Sequence, residues 1–375
     1  MSLAPSAPAD RRTTRGALLL TALREPERVP ALGGEAWTRL LQEGRAANIL
    51  ARLEARLDER KLLDQIPVRA RDHLQGAQLI AAQQQQLVRW EVARLQETLR
   101  PTGVTLVLLK GAAYVMAELP VARGRLFADV DFMVPRGKLV EVEERLLKAG
   151  WRFVELEPYD DRYYRQWSHE LPPLVHQDRE IIVDVHHNIL PPTGRLHPDP
   201  ERLLEDAVPL VEPQLKVLAP ADMVLHAAVH MFQDGELQGE LRDLIDLDAL
   251  MRHFGAEGEF WDGLVPRARR LGLERPLFYA LRYAARLLGT PVPAPVLAAS
   301  RVAAPAWPIV KIMDGLVTRA LDPGPDGRGL TTTRISRALL YVRARWLRMP
   351  PGMLARHLVH KARRSGIVIT YREAR

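Results

Sequence analysis

The sequence predicts an α+β fold, with a small mixed β-sheet core flanked by N- and C-terminal α-helical regions. Three observations predict it. Residues 15–99 are rich in Ala, Leu, Gln, Glu and Arg, and their apolar positions recur at helical spacing. The texture changes at Pro101, and short β-rich runs then alternate with helical stretches through residues 100–215. Beyond Pro220 the chain reads as helix again.

Residues 1–14, with Pro5, Pro8 and two arginines, have a composition expected of a disordered tail. Arg11 and Arg12 precede the short apolar stretch Gly16–Leu23. That stretch is cut off by Arg24, Glu25 and Pro26 and lacks a small-residue cleavage pattern, so no export signal is expected. In the first helical region, Leu40, Leu41, Ala47 and Leu50 mark one apolar face. Leu79, Ile80, Leu87, Val88, Val92 and Leu95 mark another, and Pro67 separates two helices.

In the core, Val104–Leu109 is a predicted strand, broken by Lys110 and Gly111 ahead of a helix over Ala112–Glu118. A loop with Pro120, Arg123, Gly124 and Arg125 leads into a strand over Phe127–Val134, which Pro135 ends. Leu139–Ala149 is an amphipathic helix closed by Gly150. Trp151–Leu156 and Glu180–His186 are further strands. The latter places Ile181, Val183 and Val185 on one face and Ile182, Asp184 and His186 on the other. Residues 216–290 form a C-terminal helical domain with helices over Ala221–Phe232, Leu241–His253 and Pro276–Leu288. Residues 291–330 read as a linker and loop, because five prolines fall between Pro291 and Pro308 and a Pro/Gly cluster follows at Asp322–Gly327. Residues 331–375 are a basic helical tail, split at Pro350–Gly352.

Composition excludes several chemistries. With no cysteine there is no disulfide, thiolate metal site or cysteine nucleophile, a usage that fits a cytoplasmic protein. No apolar run approaches the ~20 residues of a membrane span. The net charge of +7 is unevenly spread. Residues 331–375 hold eleven Lys/Arg and one acid, Glu373, a net +10 that leaves −3 for the rest. Arg343, Arg345, Trp346, Arg348, Arg356, Lys361, Arg363 and Arg364 therefore make the tail a candidate contact for an anionic surface, a membrane or a nucleic acid.

The sharpest feature lies in the second strand. Asp129 and Asp131 flank Val130 inside an apolar run, so alternation puts both carboxylates on one face while Val130 and Phe132 point into a core. Like charges side by side at a buried strand end cost stability. A hard divalent cation removes that cost, and Mg²⁺ takes one or two carboxylates together with substrate phosphates. Asp184 is a third acid embedded in a strand, placed to join the pair at one sheet edge. Lys110 and Gly111, at a strand-to-helix junction, offer a cation and backbone N–H groups to phosphates. Arg123 and Arg125 are placed to neutralise a leaving pyrophosphate. His186 shares the face of Asp184 and is a candidate on the acceptor side, as is Asp243. Asp243, Asp246 and Asp248 otherwise read as a helix face paired with Arg242 and Arg252. His226 and His230, four apart on a helix, read as packing or hydrogen-bonding residues between domains, for want of a third zinc ligand.

Leu108–Gly111, the Arg125 loop, Asp129–Val134 and Val183–His186 together resemble a largely uncharacterised bacterial nucleotidyltransferase family of the polymerase-β-like superfamily. Leu218–His226 and Leu241–Asp246 look like its helical part, so the likeness spans roughly residues 35–255. The resemblance implies Mg²⁺-dependent transfer of a nucleoside monophosphate from an NTP such as ATP to an acceptor hydroxyl, with release of pyrophosphate. It maps the catalytic, metal-binding acids onto Asp129, Asp131 and Asp184, with room for two Mg²⁺ ions. One departure motivates an alternative. Ala112 stands where the superfamily usually has a serine touching phosphate, which is what a catalytically degenerate nucleotide-binding or partner-anchoring module would show.

Overall fold

A seven-stranded mixed sheet carries the core of the protein. The computed structural model describes residues 17–155, 158–233, 241–324, 330–355 and 357. The predicted disordered tail, Leu156, part of the Asp322–Gly327 loop and nearly all of the chain beyond Ala355 lie outside the described residues.

In chain order the strands are β1 (Leu106–Leu108), β2 (Asp129–Met133), β3 (Trp151–Phe153), β4 (Leu174–His176), β5 (Ile182–His186), β6 (Val208–Pro209) and β7 (Leu215–Val217). Their spatial order is β3-β4-β5-β2-β1-β7-β6. The pairs β2–β5 and β1–β7 are parallel and the others antiparallel. The central strands are apolar because both their faces are covered. Leu108, Val130, Phe132, Val183 and Val185 have no exposed surface. Sequence reading found β1, β2, β3 and β5. It missed β4, β6 and β7, which are two or three residues long and borrow their conformation from a neighbouring strand.

Among the described residues four α-helices precede the sheet: α1 (Ala17–Arg24), α2 (Gly34–Ala46), α3 (Leu50–Glu59) and α4 (Val68–Leu99). The 32 residues of α4 span ~48 Å at the standard helical rise. Its buried stripe runs Ala70, Leu74, Ala81, Val88, Val92, Leu95, Leu99. Leu79, Ile80 and Leu87, predicted on an apolar face, are exposed. Within the sheet region lie α5 (Lys110–Met116), α6 (Leu139–Lys148), α7 (Pro158–Trp167) and α8 (Pro200–Glu205). Gly150 closes α6 at φ +97°, a conformation that only glycine takes freely.

The C-terminal helices are α9 (Pro220–Gln233), α10 (Leu241–Phe254), α11 (Gly258–Arg270) and α12 (Glu274–Tyr283). The proline-rich span 291–330 is not a plain linker. It holds α13 (Ala294–Ser300) and α14 (Trp307–Ala320). Pro295 and Pro308 sit in the first turns of these helices, where a fixed φ favours the helix and the missing N–H costs nothing. The basic segment supplies α15 (Thr331–Arg348), and residues 351–355 are helical again beyond Pro350. One apolar cluster runs from Leu19 to Leu340, so the outer helices share a core with the sheet. Among the described residues, no single helix is long and apolar enough to cross a membrane.

Candidate active site

The parallel register of β2 and β5 sets Asp131 directly opposite Asp184, and Asp129 opposite Ile182. Paired residues on neighbouring strands share a face, and Asp129 shares it two residues earlier. The structure brings all three carboxylates together, with one oxygen of each within 4.8 Å of the others. They open into a cavity of about 170 Å³ that Lys110, Glu170 and His186 also line.

Lys110 is the first residue of α5 and has φ +43°, an unfavourable region for a side chain with a Cβ. Its Nζ donates to Asp131 Oδ1 at 3.1 Å. His186 approaches the same oxygen through Nε2 at 3.0 Å. An ionised carboxylate only accepts, so Nε2 carries the proton of that hydrogen bond.

Burial opposes ionisation of Asp131, but the Lys110 charge and the His186 hydrogen bond outweigh it and hold its pKa well below the ordinary carboxylate range. Asp184 goes the other way. Burial, then the charges of Glu170, Asp131 and Asp129, push it well above that range. Its buried Oδ1 has no hydrogen-bond partner. An all-oxygen donor set with an orphaned oxygen and mutually repelling carboxylates fits a hard divalent cation such as Mg²⁺.

Other sequence-selected residues are elsewhere. Arg125 is buried, and its Nε donates to Asp246 Oδ2 at 2.8 Å while its guanidinium lies 5.1 Å from the Phe127 ring. Arg123 pairs with Asp58 at 2.5 Å on the solvent side. Neither lines the cavity. Gly111 is likewise absent from the lining, and a Cβ there would collide with the Arg125 guanidinium and the Phe127 ring. Close packing therefore accounts for this glycine without a phosphate. Asp243 accepts from His230 Nδ1 at 3.1 Å, and His230 does line the cavity. The expected Asp248–Arg252 pair is present at 2.7 Å. Asp246 instead meets Arg52 and Arg125.

Sequence reasoning missed several cavity residues. His226 and His230 line it from α9, rather than serving only as packing between helical units. Burial holds the pKa of His226 well below the usual imidazole value. His169 and Glu170 arrive from a segment ahead of β4 that had no motif. Arg348 comes from the end of α15, which the loop after β5 anchors. Thr193 Oγ1 donates to the Arg348 carbonyl at 2.9 Å, and the Arg195 N–H to that of Leu347 at 2.9 Å. Within the basic tail, Arg343 donates to the Phe232 carbonyl at 3.0 Å and Arg348 is buried, so these two face inward. Arg356, Lys361, Arg363 and Arg364 lie outside the described residues.

Residues 33–289, more than half the chain, match the model of a family described as uncharacterised nucleotidyltransferases. No curated protein matches the chain.

Proposed function

Because the chain belongs to that nucleotidyltransferase family, part of the polymerase-β-like superfamily, we propose that it transfers a nucleoside monophosphate from an NTP to an acceptor hydroxyl. The observation that carries this reading is the Asp131–Asp184 pairing across parallel strands, with Asp129 alongside and their oxygens within 4.8 Å. Asp129, Asp131 and Asp184 would hold Mg²⁺, which supplies charge neutralisation at phosphate oxygens and a lower pKa for the attacking hydroxyl.

The chain's own groups divide the remaining work. Lys110 presents a compact positive charge to phosphate oxygens from the cavity wall. Its bond to Asp131 keeps that carboxylate ionised and therefore able to ligate. Asp184, whose Oδ1 has no hydrogen-bond partner, accepts the acceptor's proton at a carboxylate oxygen. The acceptor oxygen then forms its bond to the α-phosphorus as the bond between that phosphorus and the bridging oxygen breaks. Pyrophosphate leaves with the electron pair. His186 holds Asp131 in place through Nε2, and Arg348 adds a second cation to the cavity lining.

Ala112 supports a second reading, a nucleotide-binding module without turnover, since no hydroxyl stands beside Gly111 to meet a phosphate. One experiment separates the two. The protein is incubated with α-labelled NTP, Mg²⁺ and a panel of hydroxyl acceptors, and pyrophosphate release is compared with that of Asp129→Ala. Loss of a metal ligand is expected to lower turnover on the order of a thousandfold, the equivalent of several kcal/mol of charge stabilisation. Equal release from both proteins sinks the assignment of these acids. Tight NTP binding with no release from either favours the module.

A further inference from the structure

A short segment ahead of β4 pairs back onto the end of β5. Glu170 bridges His186 in antiparallel fashion. The Leu171 N–H donates to the Val185 carbonyl at 2.9 Å, and the His187 N–H to that of His169 at 2.8 Å. This pairing fixes a second cluster beside the aspartates. One nitrogen from each of His169 and His186 and one Glu170 oxygen lie within 4.8 Å of one another. The imidazoles are 7% and 1% exposed, and the Nδ1 of each is buried without a hydrogen-bond partner.

The bonding of His186 makes this arrangement incomplete. Its Nε2–H is committed to Asp131, so Nδ1 is the nitrogen that faces Glu170 Oε2. The two atoms are 3.3 Å apart without hydrogen-bond geometry. A buried ring nitrogen facing a carboxylate oxygen calls for positive charge between them, which a bound cation supplies.

We propose that His169, Glu170 and His186 bind one divalent cation of the zinc class, separate from the Mg²⁺ of the three aspartates. Imidazole nitrogen selects Zn²⁺ and its transition-metal neighbours over Mg²⁺, whose preference is oxygen. Two His and one Glu are a three-ligand set that leaves a fourth position open. All three residues line the cavity, and Glu170 is 21% exposed there. Asp131 then plays the outer carboxylate that orients a metal-bound imidazole through its other nitrogen. The two sites are joined through a single ring. A cation held at Nδ1 fixes the orientation of the Nε2–H that positions Asp131. This site does not depend on the transfer reaction proposed above.

The test uses full-length protein stripped with chelator and returned to buffer containing excess Mg²⁺. Zn²⁺ is titrated calorimetrically, and Co²⁺ is followed by its visible absorption, which reports nitrogen ligation. Wild type is expected to bind one equivalent. His169→Ala and Glu170→Gln are each expected to weaken binding about tenfold or more. Asp129→Asn is expected to leave it unchanged. Should His169→Ala fail to fold by circular dichroism, the partly exposed Glu170→Gln decides. No Zn²⁺ binding by wild type, as when a proton occupies Nδ1, overturns the proposal. Binding that survives both cluster substitutions overturns it too, as adventitious metal. Binding lost equally in Asp129→Asn overturns it by assigning the metal to the aspartates.

Discussion

Two groups of aspartates in this protein, one buried on a helix and one half-buried at a sheet edge, have opposite surroundings. On α10, Asp246 is met by Arg52 and by Arg125 at 2.8 Å, and Asp248 by Arg56 at 2.6 Å, Arg252 at 2.7 Å and Thr290 at 2.6 Å. Four arginines thus answer two carboxylates. On β2 and β5, Asp129, Asp131 and Asp184 stand with Glu170 nearby, and their lining cations are Lys110 and Arg348. The first group is neutralised from within the fold. The second retains surplus negative charge in a cavity. A buried acid alone therefore signals nothing; its compensation separates scaffold from site.

The largest stability effect should come from breaking the neutralised group. Asp246→Asn leaves Arg52 and Arg125 buried around a neutral amide. Burial already pulls the Arg52 pKa down to about 10. For Arg125 burial also opposes the charge, and Asp246 outweighs it and raises the pKa. Removing that carboxylate should cost about 3–5 kcal/mol in denaturant unfolding. Asp129→Asn in the other group should change stability by less than about 1 kcal/mol, and in the stabilising direction, because it removes repulsion. Equal losses in the two variants would break the comparison.

A smaller effect should appear with pH. The Asp184 carboxyl has its pKa raised by burial and then by Glu170, Asp131 and Asp129. The folded state thus holds that proton more tightly than the unfolded chain, whose value is ~3.9. The stabilisation is fully present below that value and is lost as pH rises through the raised folded value. Thermal unfolding of chelator-treated protein should show the melting temperature of wild type falling, relative to Asp184→Asn, as pH rises from about 4. Added Mg²⁺ should recover part of the loss. Parallel profiles for the two proteins would mean that the carboxylates are less crowded than their distances imply.

How much of this was legible in the sequence follows from where each contact originates. Asp129, Asp131 and Asp184 could be read because strand alternation is local, and an acid among Val, Ile and Phe has few structural excuses. The helical flanks were legible from apolar spacing, and belonging to the family agrees with both. His169, Glu170 and Arg348 were not legible. They reach the cavity only because a segment pairs onto β5 and α15 folds back, events that no local pattern encodes. The prolines between Pro291 and Pro308 misled for a related reason. Proline breaks a helix interior but starts a helix well, and composition does not distinguish the two positions. Arg125 looked like a phosphate ligand because it stands near two acids in sequence. Its actual partner, Asp246, is 121 residues away.

Arg123 is the position where the distinction between scaffold and site is finest. It neighbours Arg125 in the same loop, yet its guanidinium is 41% exposed and pairs with Asp58 of α3. Its backbone does the buried work, since the Arg123 carbonyl accepts from Arg52 Nη1 at 3.3 Å. Truncating the side chain leaves that carbonyl in place. Arg123→Ala should therefore cost less than about 1 kcal/mol, as expected of a solvent-screened pair. If internal pairing marks scaffold, then for the nucleotidyl transfer proposed above its KM for NTP should also stay within about twofold of wild type. A KM raised tenfold with unchanged stability would mean that the loop swings Arg123 onto the phosphates when nucleotide binds. Internal pairing would then no longer separate the arginines that build this protein from those that serve its cavity.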